Sequence, residues 1–254
     1  MATAISEWVG KLGDSDPAVA FSACRQIEQA AAQAGAEGRE PMDAVADALA
    51  EELTAMTPEG EDDQGRRVAP KPVHSVATRN AICRLMGFVA GSKQVPALAG
   101  AIKDLDVREM ARWSLDRNCS DEATDALIAA LDEVGPTFRI GVVGALRTRK
   151  SDKAAAALRR VALEDAIAEV RISAVESLAE YTDGDSAAVV MRTTLSTEPG
   201  HAVRAYRAAV RLAENFAKAG KTSEAAGLYR MVVSGAGVPD AQKQAALKAH
   251  EKLM

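Results

Sequence analysis

Catalysis near neutral pH draws on histidines, thiolates, paired carboxylates or glycine loops that cradle phosphate. The 254-residue chain offers little of this. Its three histidines, His74, His201 and His250, stand in unrelated local settings. Its three cysteines, Cys24, Cys83 and Cys119, form no C-x-x-C and cannot close into a full set of disulfides, so a reducing, cytoplasmic compartment is expected. Acids cluster at Glu51-Glu52 and Glu61–Asp63, where they read as solvated surface charge rather than acid–base machinery. Neither G-x-S-x-G, a Walker A loop, G-x-G-x-x-G nor a zinc-ligand spacing is present. No catalytic group, metal or cofactor is expected, and the chain reads as a non-enzyme.

Arginine is the functional residue type that recurs. The pattern Val107-Arg108-x-x-Ala111-x-x-x-Leu115 returns as Val170-Arg171-x-x-Ala174-x-x-x-Leu178 and as Phe138-Arg139-x-x-Val142-x-x-x-Leu146. Thr78-Arg79-x-x-Ile82-x-x-x-Met86 keeps the same frame, and Val19-Ala20-x-x-Ala23-x-x-x-Ile27 keeps it without the arginine. Val203-Arg204 is a sixth copy whose apolar pair, Ala208 and Leu212, is shifted by one residue. The arginine-equivalent positions 20, 79, 108, 139, 171 and 204 are spaced by 59, 29, 31, 32 and 33 residues, the first interval being about two repeats. Offsets of three, four and seven residues put the apolar side chains on one helical face. An acid stands six residues before the arginine position at Asp14, Glu133, Asp165 and Glu198, where a turn enters the helix and a carboxylate caps free N–H groups. Pro17, Pro136 and Pro199 fall in the same turns, at first-turn positions that tolerate a missing N–H.

These helices need partners. Apolar periodicity predicts helices at 93–103, 121–132, 152–164 and 185–196, one ahead of each later copy, and at 41–56 and 73–90 in the second repeat. A single hairpin cannot bury its apolar face, and stacking successive hairpins solves that problem. Composition agrees: 53 alanines against nine aromatics favour closely packed helices and exclude an all-β fold. No run of about 18 apolar residues spans a membrane, and the N-terminal residues lack the basic and apolar regions of a signal peptide.

The Asp-x-x-Pro-x-Val-Arg-x-x-Ala-x-x-x-Leu turns at about 30-residue spacing resemble HEAT repeats of the short bacterial kind, and are similar to those of phycobilin lyase-like proteins. The resemblance covers roughly residues 5–212 and implies an all-α, right-handed α-solenoid of about seven stacked helical hairpins. Beyond it, Leu212-Ala213-x-x-Phe216, Gly220, Ala225, Tyr229 and Pro239 resemble one tetratricopeptide unit, with Ala209 in place of the usual first-helix aromatic. Phe216 and Tyr229 are expected in the core. The expected organisation is a HEAT solenoid over 1–205 and, continuous with it, a TPR-like hairpin with a capping helix over 206–254. Residues 57–72, TPEGEDDQGRRVAPKP, interrupt the array and are expected to be a mobile insertion without a hydrophobic anchor.

In a HEAT stack the second helices line the concave wall, which would set Arg79, Arg108, Arg139, Arg171 and Arg204 in a row there. The competing reading is structural: each arginine pairs with the acid of its own or the neighbouring turn and ties repeats together. Bases outside the row, Arg84, Arg112, Arg147, Arg149, Lys150, Arg207 and Arg211, add to the basic character of these helices, and Trp113 beside Arg112 is a candidate contact anchor or a core residue. Residues 1–65 carry a net charge of −11 and residues 66–254 a net of +6. The expected function is a non-catalytic interaction module or scaffold. It would use Arg79, Arg108, Arg112, Trp113, Arg139, Arg147, Arg149, Arg171, Arg204 and Arg207 to hold an acidic segment of a partner protein, or the acidic front of its own chain, without a membrane or small-molecule substrate. The alternatives implied by resemblance are a HEAT-like alkylpurine DNA glycosylase, echoed by Trp113, Asp116 and Arg147 or Arg149, and a chromophore-lyase-like role. The isoelectric point of 5.4 and the few aromatics count against nucleic acid. HEAT-like deoxyhypusine hydroxylases need several His-Glu pairs, and this chain has one, His250-Glu251.

Overall fold

The computed structural model describes residues 2–253 apart from Asp62, Gly65, Thr197 and Pro199. The expectation for a turn proline at Pro199, and the middle of the Glu61–Asp63 cluster, therefore lie outside the described residues. The fold is an all-α solenoid. Among the described residues its fourteen helices are α1 (Ala2–Lys11), α2 (Pro17–Glu37), α3 (Arg39–Thr54), α4 (Val76–Val89), α5 (Val95–Ala101), α6 (Arg108–Arg117), α7 (Asp121–Glu133), α8 (Pro136–Leu146), α9 (Asp152–Glu164), α10 (Ala168–Leu178), α11 (Gly184–Thr193), α12 (His201–Lys218), α13 (Thr222–Ser234) and α14 (Asp240–Glu251). Consecutive helices pack as pairs, α1 with α2, α3 with α4 and α5 with α6 in one stretch, and α9 with α10, α11 with α12 and α13 with α14 in another. Among the described residues no helix is long and apolar enough to cross a membrane.

The chain divides into two compact units, Met1–Ala130 and Leu131–Met254. In the first, α1, α3 and α5 pack side by side as one layer, while α2, α4 and α6 form the other. In the second, α9 and α11 pack together beneath a row in which α8, α10, α12 and α14 follow one another. The repeat frame explains the layering. Ile82 and Met86 on α4, Ala111 and Leu115 on α6, Val142 and Leu146 on α8, and Ala174 and Leu178 on α10 are all buried. Each buried leucine or isoleucine contributes about 1.5–3 kcal/mol, so the seam between pairs carries the fold.

Helix starts follow local chemistry. Pro17 and Pro136 occupy the first turns of α2 and α8. Asp16 accepts the Ala18 N–H at 2.8 Å, Ser151 the Ala154 N–H at 3.3 Å, and Asp183 the Ser186 N–H at 2.8 Å, each satisfying a donor the helix leaves open. The line expected between residues 205 and 206 falls inside α12, whose single buried stripe of Ala205, Ala209, Leu212 and Phe216 carries the helix unbroken across it. Phe216 and Tyr229 are core residues.

Within 57–72 the structure holds a short antiparallel hairpin, β1 (Gly60–Glu61) against β2 (Arg67–Val68), which sequence reasoning did not foresee. Its base is tied to the helices: Thr57 N–H donates to Lys71 O at 2.8 Å and Val73 N–H to Ala55 O at 2.9 Å. His74 Nε2 meets Glu52 Oε2 at 2.6 Å just beside it.

Candidate functional site

The recurrent arginines are joined to acids one repeat further along. Arg79 at the start of α4 pairs with Asp104, Arg139 on α8 with Asp165, and Arg171 on α10 with Glu198. Arg79 is only 8% exposed, which fixes its guanidinium inside the stack. Backbone carbonyls take further donors: Arg139 Nη2 reaches Val134 O at 3.1 Å, and Arg171 Nη1 reaches Asp165 O at 2.7 Å. Two of these turn acids also serve their own turns, Asp104 accepting the Asp106 N–H at 3.0 Å and Asp165 the Ile167 N–H at 2.9 Å. The Arg79 hydrogen bond holds the Asp104 carboxyl below its ordinary range, outweighing the opposing effect of burial. Arg204 on α12 is gripped by Glu176 at 2.8 and 2.6 Å and by Glu169 at 2.6 Å, and these bonds, Glu176 first, raise its pKa further. Four of the five predicted row arginines therefore hold helices together through charge-assisted bonds. Arg108, half-buried at the start of α6, is also engaged.

The other predicted residues separate into two places. In the first unit Arg112 pairs with Glu109 on its own helix at 3.1 Å, and Trp113 is half-buried, its indole edge-on to Phe88 at 5.7 Å between centroids. In the second unit Arg147, just past α8, and Arg207 on α12 line one groove of about 510 Å³. Glu176, Arg211, Glu214 and Gln242 complete its polar wall, and Ala208, Val210, Ala241 and Ala245 its apolar floor. Arg149 is half-buried with partners of its own and does not line this groove.

Charge accounting at the groove favours an anion. Glu176 is satisfied by Arg204, and Arg211 by Glu180. Among the described residues the side chains of Arg147 and Arg207 are exposed and make no hydrogen bond or ion pair, leaving Glu214 as the opposing unpaired charge. The side-chain oxygen of Gln242 is buried without a donor. Sequence pattern supplied Arg147 and Arg207 and noted Arg211, but gave no signal for Glu176, Glu214 or Gln242, which only the convergence of four helices brings together. Among the described residues no three histidines, cysteines or carboxylates converge as metal ligands.

No protein-family model matches the chain, and no curated protein matches it. Solved structures similar to it include the complex of CpcE and CpcF of phycocyanin lyase from Nostoc sp. PCC7120, at 18% identity over 98% of this chain and 94% of that one, with a TM-score of 0.43. Human deoxyhypusine hydroxylase in complex with glycerol matches at 13% identity over 99% and 97%, with a TM-score of 0.38. A designed armadillo repeat protein in complex with the peptide (KR)4 matches at 16% identity over 97% and 99%, with a TM-score of 0.32. At these levels the likenesses carry no conclusion about function, which rests on the site alone.

Proposed function

We propose that the chain is a non-catalytic protein-interaction module that holds an acidic segment of a partner protein in the groove between α8, α10, α12 and α14. The supporting observation is that Arg147 and Arg207 line one groove without ion pairs, while Glu176 is already neutralised and Glu214 is the single unpaired acid beside them, leaving a positive excess. Two unpaired guanidinium groups recognise carboxylates through bidentate bonds, and the apolar floor accepts the stems between them. Arg79, Arg139, Arg171 and Arg204 contribute by holding the helices in register, and Arg108, Arg112, Trp113 and Arg149 lie outside the groove.

The test is fluorescence anisotropy with a labelled 12-residue peptide of alternating Glu and Ala. Arg147→Glu with Arg207→Glu should weaken binding by at least tenfold, with an unchanged far-UV spectrum, because the groove then repels its ligand. Raising salt from 50 to 300 mM should weaken the native interaction as well. Equal affinity for native and doubly reversed proteins would refute the reading.

A further inference from the structure

A second surface, confined to the first unit, is left unexplained by the arginine–acid pairs. Between α2, α3 and α4 runs a groove of about 300 Å³, walled by Ile27, Ala31, Met42, Leu49, Leu85 and Phe88, with Glu28 its one charged wall residue. Phe88 stands at the edge of this groove and is 56% exposed, although most large apolar side chains nearby are buried. Its ring is nevertheless held in place. Trp113 packs edge-on against it at 5.7 Å with the planes at 66°, a favoured aromatic geometry. The indole fits there because position 87 is glycine: a Cβ on Gly87 would run into the Trp113 ring and Ser114.

The same two rings carry a cation. The guanidinium carbon of Arg117, the last residue of α6, lies 4.9 Å from the ring centroids of both Phe88 and Trp113. Its Nε donates to Gly87 O at 3.2 Å, which fixes the plane of the group. Among the described residues its terminal amino groups, Nη1 and Nη2, meet no carboxylate. Arg117 is therefore a fixed, exposed guanidinium with its two outer donors unused, set on the rim of an apolar groove. Such a group loses little side-chain freedom when it binds, and a fork of two N–H donors matches a carboxylate.

We propose that this is a separate docking site for an amphipathic helical segment of a partner protein, whose leucine-like side chain fills the groove while a carboxylate one turn away binds Nη1 and Nη2 of Arg117. Charge complementarity selects the acid, since the fixed cation lacks a partner. Phe88 links the two features: its ring walls the groove and lies 4.9 Å from the guanidinium carbon, so a helix laid against it offers an apolar and an acidic side chain about one turn apart. Ala31 and Ala32 on the groove wall let a helix backbone approach closely. The site differs in kind from the groove of the second unit, because it demands an apolar anchor as well as a charge.

Trp113 provides the readout, in the full-length chain with Trp8→Phe so that one indole remains. The probes are a 16-residue helical peptide with Leu at two positions four apart and Asp one turn beyond, its Asp→Asn and Leu→Ser versions, and sodium decanoate. The Leu/Asp peptide should change Trp113 emission saturably, with both altered peptides at least tenfold weaker. Arg117→Gln and Arg117→Lys should each weaken it about tenfold, since lysine neither stacks flat nor offers a fork. Phe88→Ala should weaken it at least tenfold, and Arg147→Glu with Arg207→Glu should leave it unchanged. Equal binding of the Asn or Ser peptide, indifference to Phe88→Ala, or saturation by decanoate with no response to any peptide would each overturn the proposal. Loss of binding in the Arg147/Arg207 variant would assign the peptide to the other groove and overturn it too.

Discussion

Replacing Asp104 with alanine separates a structural pair from a decorative surface contact. Arg79 is 8% exposed, and its guanidinium bonds the Asp104 carboxylate between consecutive helix pairs. Removing one partner of a buried pair costs about 3–5 kcal/mol, because the other charge stays buried without compensation. The Asp104 side chain is 33% exposed, so solvent softens this to about 2–3 kcal/mol. The lost acceptor for the Asp106 N–H adds about 1 kcal/mol. At about 2–4 °C per kcal/mol, the expected drop in Tm is roughly 6–16 °C, measured by calorimetry together with urea unfolding followed by circular dichroism. The pair also sets a pH dependence. The Asp104 carboxyl titrates below its unfolded value of 3.8 in the folded protein, so its contribution is complete above that value and disappears as pH falls through the lower folded one. The stability gap between native protein and Asp104→Asn should therefore close in that acid window. Replacing both partners, as Arg79→Met with Asp104→Leu, should recover most of the loss, since no charge is left stranded. A loss below about 0.5 kcal/mol for Asp104→Ala would show a solvated pair and refute the argument.

Thiol reactivity should rank by burial: Ellman's reagent at pH 8 should modify exposed Cys119 fast, half-buried Cys24 more slowly, and Cys83 only on unfolding. Burial pushes the Cys83 thiol up to about 12, so rapid modification of Cys83 in native buffer would contradict its packing. At the end of α12, Gly220 has φ +77° while Lys221 N–H donates to Phe216 O at 2.9 Å, closing the helix. Gly220→Ala should cost about 1 kcal/mol, seen as a lower urea midpoint at unchanged slope, and no change would contradict the left-handed cap.

The repeat was legible because its information is local. Offsets of three, four and seven select one face whatever the neighbours do, and a proline in a helix's first turn needs only the missing N–H, so α9 falls on the expected 152–164 and Pro17 and Pro136 open their helices. Pairing is a different matter. An acid six residues before Arg171 invites a bond within one turn, yet Asp165 gives its carboxylate to Arg139, 26 residues earlier, and offers Arg171 only its backbone oxygen. The acid therefore does both jobs, accepting the Ile167 N–H of its own turn and bonding Arg139 of the preceding repeat, and only the stacking geometry shows which of the two arginines takes its carboxylate. Asp104 escaped notice for the same reason: it stands four residues before Arg108, outside the six-residue rule, but in the right place in space for Arg79. Surface sites lie furthest from the sequence. Arg117 carried no repeat signal, and its neighbour Gly87 looked like an ordinary helix residue until the Trp113 ring was seen lying where its Cβ would be. In a stacked fold, periodicity specifies what each repeat shares, so residues that equip one place to bind must be sought among its departures.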